Sequence, residues 1–246
     1  MLFPGNSTYE RHMQNVKNDM TERAREWGAD LIGVADTQRL AGIGTRPADL
    51  LDGWPRAVCV AVRLADGIVD QVTHGPTALY SQHYIRVNAV LDDIATRLAA
   101  WLQSRGGSAL PLPASQILCE ETFVSYLSHK AVGIAAGLGW QGKSLLLVTP
   151  EHGPRVRLVT VLTDLKIPPD KPLRNRCGTC TACTDACPAG AIRGVGTDSH
   201  FATRREAVDL DACVAQLRRF SEEAHIAPYL CGVCVSSCPW GKRKKG

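Results

Sequence analysis

The sequence predicts an α+β fold in two parts, a mixed helix-and-sheet region followed by a module organised by cysteines. Three observations on the 246 residues predict it. Over residues 1–166, long amphipathic helical patterns mix with short β-branched runs, without the regular βαβαβ alternation of a doubly wound sheet. Ile167-Pro-Pro-Asp-Lys-Pro172 then places three prolines in six residues, the pattern of a stiff linker. Eight of the ten cysteines follow that linker, within residues 173–246, at spacings that repeat.

The elements are justified in order. Ser7 to Trp27 reads as an amphipathic helix, with Ser7 or Thr8 as cap, Glu10 near N3, and Val16, Met20, Ala24 and Trp27 along one face. Gly28 ends it, and Asp30 to Ala35 reads as a short buried strand. Gly42 to Pro55 is rich in Gly, Pro and Asp and reads as a loop. Ala57 to Val62 is a continuous buried strand, with Cys59 as a small core residue. Ala78 to Ser104 carries a helical stripe of Val87, Leu91, Ile94, Leu98, Trp101 and Leu102. Ala109 to Pro113 is extended, and Glu120 to Ala136 is predicted helical. Ser144 to Val148 and Val156 to Thr163 read as strands joined by a hairpin-like Pro150–Pro154 connection. Thr203 to Glu222 is predicted to be one helix carrying Cys213.

The cysteines carry the chemistry. Cys177, Cys180, Cys183 and Cys187 stand at spacings x2, x2 and x3 with Pro188 after them. That is the bacterial ferredoxin run for a [4Fe–4S] cluster, in which the fourth thiolate serves a second cluster. Cys213 stands alone, and Cys231, Cys234 and Cys238 follow at x2 and x3 before Pro239. Eight thiolates close the ligand count for two clusters. By the crossing rule Cys177, Cys180 and Cys183 take Cys238, while Cys187, Cys213, Cys231 and Cys234 hold the other cluster. A zinc ribbon or a disulfide set also uses C-x2-C pairs, but neither needs the x2-x2-x3-Pro run twice.

No apolar run reaches membrane-span length, and Met1 to Met13 lacks the basic and apolar regions of a secretory signal. Cluster thiolates need reducing surroundings, so the expectation is a cytoplasmic protein with no membrane partner. The formal charge of +4 counts cysteines as neutral. Each oxidised cluster with its thiolates brings about −2, so the loaded chain is near neutral and the pI argues for no nucleic-acid partner. The basic run Lys242 to Lys245 reads as a solvated end or as a contact for an anionic partner.

Gly137-Leu-Gly-Trp-Gln-Gly-Lys-Ser144 matches G-x4-G-K-S, the phosphate-loop pattern. Its context is wrong, because a helical pattern precedes it and a strand-like one follows, whereas a phosphate loop opens a helix. Its glycines allow close backbone approach to a flat or anionic ligand, with Lys143 and Ser144 as polar contacts, or simply make a tight turn.

Ala136 to Ser144, Gly153-Pro-Arg155, the cysteine run to Ile192, and Cys231 to Trp240 together resemble the epoxyqueuosine reductase family, relatives of the corrinoid-dependent reductive dehalogenases. The resemblance implies an N-terminal α/β corrinoid-binding-type domain over residues 1–166 and a ferredoxin-like double-cluster module over 173–246. It implies that electrons from a low-potential donor of ferredoxin or flavodoxin type pass through the clusters to a cobalamin, whose cobalt becomes strongly nucleophilic. It points to Gly139, Trp140, Gly142, Lys143, Ser144 and Arg155 as cobalamin contacts, with a small-molecule or protein-bound substrate.

Two departures stand out. The reductase's proton donor is an aspartate upstream of G-L-G-W, and here no Asp stands between Asp93 and Asp164. Glu120 or Glu121 is the substitute donor, or a tyrosine, Tyr80, Tyr84 or Tyr126, as in the dehalogenases; the two glutamates also read as a solvated helix start. The reductase also continues into helical repeats that help bind tRNA, whereas this sequence stops at Gly246, so a tRNA substrate is retained but disfavoured. His129 reads as an axial ligand, a donor or a surface residue, Arg155 and Arg157 as cofactor contacts or outward strand residues, and Cys119 as a substrate-side or core thiol. The alternative function is a corrinoid-free electron-transfer protein, or a reductive activator of a partner's corrinoid.

Overall fold

A computed structural model describes residues 5–121, 123–198, 201 and 203–242, with side chains from residue 8 onward. Helix α1 (Gly5–Glu26) buries Met13, Val16, Met20 and Ala24, the i, i+3, i+4 stripe that its sequence encodes. It begins at Gly5, so positions 7 and 8 lie inside its first turn rather than capping it. Gly28, at φ +103°, turns the chain into strand β1 (Leu31–Asp36), and the 42–55 segment is a loop. Strand β2 (Arg56–Arg63), short helix α2 (Asp66–Val69), helix α3 (Ala78–Ser104) and strand β3 (Ala109–Leu112) follow.

Helix α4 covers only His129–Ala135, so the predicted Glu120–Ala136 helix is cut to its second half. Residues 116–128 form turns instead, with a Cys119–Val124 bridge and Phe123 at φ +50°. Ser128 accepts from the Ala131 N–H and caps the true start. Glu120 and Glu121 therefore do not stand at a helix start. Strands β4 (Trp140–Gln141), β5 (Leu147–Val148) and β6 (Val156–Thr163) come next. β5 pairs with β4, not with β6, so the expected β5–β6 hairpin is replaced by a ribbon closing back on the glycine loop. Helix α5 (Ala182–Ala186), helix α6 (Leu210–Ser221) and helix α7 (Val233–Ser236) complete the order. α6 starts later than predicted because the Asp209 side chain accepts from the Ala212 N–H at 3.1 Å, and only a short 3-10 turn, Arg204–Glu206, precedes it.

The chain divides into two units, each discontinuous in sequence. One comprises residues through Val62, Val90–Gly137 and Leu158–Pro172; the other comprises Arg63–Ala89, Leu138–Arg157 and Leu173 onward. The first unit centres on a sheet of order β1-β2-β6-β3, with β1 antiparallel to β2 and β3 antiparallel to β6. Its core is apolar and closely filled, with Val58, Cys59, Val60, Leu91, Ile94, Leu98, Leu102, Val159 and Leu162 all fully buried.

The proline segment is not a free spacer. Ile167 is buried, and its carbonyl accepts from Arg56 Nε at 2.7 Å. Asp170 accepts from Lys17 Nζ at 2.7 Å and from the Val34 N–H at 2.9 Å, while its own N–H donates to the Val34 carbonyl at 2.8 Å. Asp170→Ala is expected to cost about 2–3 kcal/mol, the worth of charge-assisted bonds lost beside a strand. A urea unfolding midpoint unchanged from wild type would make the segment passive.

Candidate functional site

The second unit carries the glycine loop and all eight downstream cysteines. The loop's backbone is dictated by its own ribbon. Trp140 pairs with Val148 and Gln141 with Leu147, and the Gly142 N–H donates to the Leu146 carbonyl at 2.8 Å. A Cβ on Gly139 would lie 2.2 Å from the Val148 carbonyl oxygen, so only glycine allows the strands to close there. No helix starts after Lys143, so the loop lacks the helix N-terminus that a phosphate loop presents.

The loop's side chains meet the cysteine run. The Trp140 indole N–H donates to Cys177 Sγ at 3.4 Å. Lys143 is buried, and its Nζ donates to the Cys180 carbonyl at 2.9 Å. Asn175 links the two segments a third time, donating to the Gln141 carbonyl at 2.8 Å while its side-chain oxygen accepts from the Cys177 N–H at 2.8 Å. Trp240 packs edge-on against Trp140, with ring centroids 4.8 Å apart. A cavity of about 30 Å³ opens among these groups, lined by Lys143, Ser144, Cys177, Cys180, Cys183 and Cys238, with Cys234 also reaching its wall.

The cysteines fall into two neighbourhoods. Burial pushes the Cys238 thiol up to about 11, and its thiol neighbours are Cys177, Cys183 and Cys180. Burial likewise raises Cys183, beside Cys177 and Cys180. Burial raises Cys231, whose thiol neighbours are Cys213 and Cys187, and raises Cys234 furthest, beside Cys231, Cys213, Cys183 and Cys187. The second neighbourhood packs against a small apolar cluster of Ala191, Ile192, Ala207 and Val208.

A polar group from α3 and β6 lies in the same unit. The Arg157 guanidinium sits 4.2 Å from the Tyr84 ring centroid, donates to the Tyr84 hydroxyl at 3.1 Å, and donates to Asn88 Oδ1 at 3.0 Å. Arg157 is thus neither a free outward residue nor a bare strand position. Tyr80 is buried, and burial pushes its phenol well above the ordinary range, with Arg157 opposing the shift. Gly232, at φ +88°, lets the loop between Cys231 and Cys234 lie on that ring, because a Cβ there would come 2.6 Å from Tyr80 Cε1.

Other candidates are placed elsewhere. Arg155 does not alternate outward: it is 1% exposed, with Asp70 at 2.7 Å and Asp66 at 3.3 Å. Glu120 and Glu121 belong to the first unit, where Cys119 Sγ donates to Glu121 Oε2 at 2.9 Å. His129 is no surface residue. Its Nε2–H donates to the Pro113 carbonyl at 2.9 Å, which leaves Nδ1 to accept from Thr160 Oγ1 at 2.8 Å, so both ring nitrogens are engaged. Tyr126 lies in the first unit, its carbonyl accepting from the Arg46 N–H. Of the basic run only Lys242 is among the described residues. Sequence reasoning missed Asn88, Asp66, Asp70 and Asn175, whose partners are distant in the chain. Trp240 offered a signal by following the last Cys-Pro.

Residues 176–241 match a family model described as a 4Fe-4S double cluster binding domain. An epoxyqueuosine reductase of Bacillus cereus is 36% identical over 124 residues, 47% of this chain and 30% of that protein. A tetrachloroethene reductive dehalogenase of Desulfitobacterium hafniense is 29% identical over 203 residues, 76% of this chain and 33% of that protein. Over these segments the chain is similar to epoxyqueuosine reductases and to reductive dehalogenases. It spans about a third of the length of these curated relatives. Among solved structures, an epoxyqueuosine reductase with a modified tRNA-Tyr stem loop aligns with TM-score 0.62 at 22% identity, over 93% of this chain and 66% of that one. A catabolic reductive dehalogenase aligns with TM-score 0.68 at 21% identity, over 88% of this chain and 30% of that one. The chain shares the mixed α/β fold of both. Among the described residues no helix is long and apolar enough to cross a membrane.

Proposed function

We propose that this protein belongs with the epoxyqueuosine reductase-like proteins and is an iron–sulfur oxidoreductase that relays single electrons through two [4Fe–4S] clusters to a reductive site. Cys177, Cys180, Cys183 and Cys238 hold one cluster; Cys187, Cys213, Cys231 and Cys234 hold the other. The observation that carries this is the grouping of half-buried cysteines into two neighbourhoods, within a segment matching the double-cluster model. Free thiols gathered in this way are suited to a metal centre that replaces their protons. Among the described residues no three Cys, His, Asp or Glu side chains could hold a single metal ion together. A cubane instead takes one thiolate on each of four irons.

Cobalamin is the second cofactor proposed, on family grounds; one solved reductive dehalogenase is described as supporting B12-dependent dehalogenation. A corrinoid supplies a nucleophilic metal centre when bound. The residues offered for it from the sequence do not form a cradle. Trp140 and Lys143 engage the cysteine run, Gly139 and Gly142 close the ribbon, and Arg155 is buried against aspartates. That same observation favours the second reading, a corrinoid-free electron carrier or an activator of a partner's corrinoid.

The electron source is a low-potential one-electron protein of ferredoxin or flavodoxin type, and the proposed compartment is the cytoplasm, where thiolates stay reduced. The substrate is a small molecule, a protein-bound group or a tRNA. The expectation that tRNA is disfavoured is corrected: a solved relative holds a tRNA-Tyr stem loop, and nothing in this fold argues against such a substrate. For proton delivery the proposed donor is Tyr84, whose oxygen Arg157 can stabilise once the proton has left, with Glu120 and Glu121 as competitors.

The deciding experiment is anaerobic purification and cluster reconstitution, followed by addition of cobalamin. About eight irons per chain are expected, four for each cluster, with a visible spectrum shifted from that of free cobalamin. Full iron with no bound corrinoid would leave only the electron carrier. Zinc in place of iron would end both readings.

A further inference from the structure

We infer that Trp140 and Lys143 set the reduction potential of the cluster held by Cys177, Cys180, Cys183 and Cys238, raising it selectively. The inference rests on the two-cluster reading above and gives the glycine loop a new role in it. The loop that resembled a phosphate site, and was read as a corrinoid contact, is a tuning element fastened to one cluster.

Three observations carry it. The first is the direct bond: the indole N–H of Trp140 donates to Cys177 Sγ at 3.4 Å, and Trp140 is 1% exposed. The second is a buried cation. Lys143 is 9% exposed, lines the cavity with the four cysteines, and is tied to the carbonyl of Cys180. A buried amine with one carbonyl partner retains donor capacity for something else in that cavity. The third is the fastening of the loop to the cysteine run: Asn175 donates to the Gln141 carbonyl at 2.8 Å and accepts from the Cys177 N–H at 2.8 Å.

The direction follows from charge. Each [4Fe–4S] centre accepts one electron from the donor protein, breaks no bond, and becomes more negative by one. An N–H bond to a coordinating sulfur and a cation in a low-dielectric pocket both stabilise the more negative state, so both raise the potential. The other set is situated differently. Cys187 Sγ accepts from the Ala191 N–H at 3.4 Å and Cys231 from the Val233 N–H, both backbone donors, and Cys187, Cys213 and Cys234 pack on the apolar cluster of Ala191, Ile192, Ala207 and Val208. The loop's geometry is dedicated to this placement. Asn175 and the Gly139–Val148 approach hold Trp140 and Lys143 in register with the Cys177–Cys180 turn, which a plain turn between a helix and a strand does not require.

The test is a redox titration of the anaerobically reconstituted full chain, followed by electron paramagnetic resonance, with iron and sulfide assayed in parallel. Wild type should show two reducible centres. Trp140→Phe and Lys143→Met should each move one midpoint to more negative potential and leave the second in place, with full iron. Lys143→Arg should restore the midpoint, which a merely structural lysine would not predict. Cys177→Ser, by altering one signal, identifies which centre has moved. Two unshifted midpoints at full iron, or a shift of both centres alike, overturn the inference. If Trp140→Phe loses iron, the comparison of Lys143→Met with Lys143→Arg carries the test, and loss of iron in every one of these variants also overturns it in favour of a scaffold role. Wild type with no iron–sulfur signal would instead overturn the two-cluster reading itself.

Discussion

Cys187→Ala should halve the iron of the reconstituted protein, from about eight to about four per chain, and the cluster lost should be the one shared with Cys213, Cys231 and Cys234. Cys238→Ala should give the same iron count but remove the other cluster, although Cys238 stands next to Cys234 in the second run. The argument is geometric. Cys187 caps the end of α5, one turn beyond Cys183, and the fold sends these two side chains to different neighbourhoods. Cys238 opens the turn after α7 and returns to Cys177, Cys180 and Cys183. Each run therefore contributes three thiolates to its own set and one to its partner's, which ties the two segments together. Iron assays combined with resonance spectra of the remaining centre check it. If Cys187→Ala and Cys238→Ala leave the same residual signal, the crossing assignment fails.

The two cysteine runs are legible in the sequence because their cause is local. Spacings of two and three residues position thiolates whatever lies around them, and the proline after each run stops the short helix. Helix α3 was equally readable, since its stripe from Val87 to Leu102 is long enough for periodicity to outweigh chance. What escaped was non-local. The predicted Glu120–Ala136 helix survives only as His129–Ala135, because its start is drawn into turns around the Cys119–Val124 bridge. β5 returns to β4 because Leu145, at φ +62°, reverses the chain, a conformation no propensity scale favours for leucine. The partners of Arg155 stand 85 and 89 residues away, and Tyr84 stands 73 residues from Arg157. Such pairs are products of packing and leave no periodic trace. The glycine loop is ambiguous in the sequence for a related reason. Its residues fit several ligands as a string, and only the placement of Cys177 and Cys180 shows what Trp140 and Lys143 touch.

Tyr84→Phe should lower turnover by about 10²- to 10⁴-fold, the usual worth of a positioned proton donor, with iron content unchanged. The substitution keeps the ring on which Arg157 stacks and removes only the oxygen to which Arg157 donates. Arg157→Leu should fall in the same range, because it leaves the phenol oxygen without the cation that stabilises it after proton loss. Glu120→Gln and Glu121→Gln should cost less than about tenfold if they do no proton transfer. Glu121 already accepts from Cys119, and Glu120 sits in a turn rather than at a helix start. Suitable probes are the substrate kinds of the relatives, an epoxyqueuosine stem loop and a halogenated phenol, each with the reconstituted chain and a chemical reductant. The opposite pattern, with Tyr84→Phe near wild type and Glu120→Gln inactive, would return proton delivery to a carboxylate. That would place this chain's chemistry with the reductases that use an acidic side chain, despite the absence of their aspartate. A loss in Tyr84→Phe would instead place it with the dehalogenases, and would mean that Arg157 and Asn88 position the donor from β6 and α3.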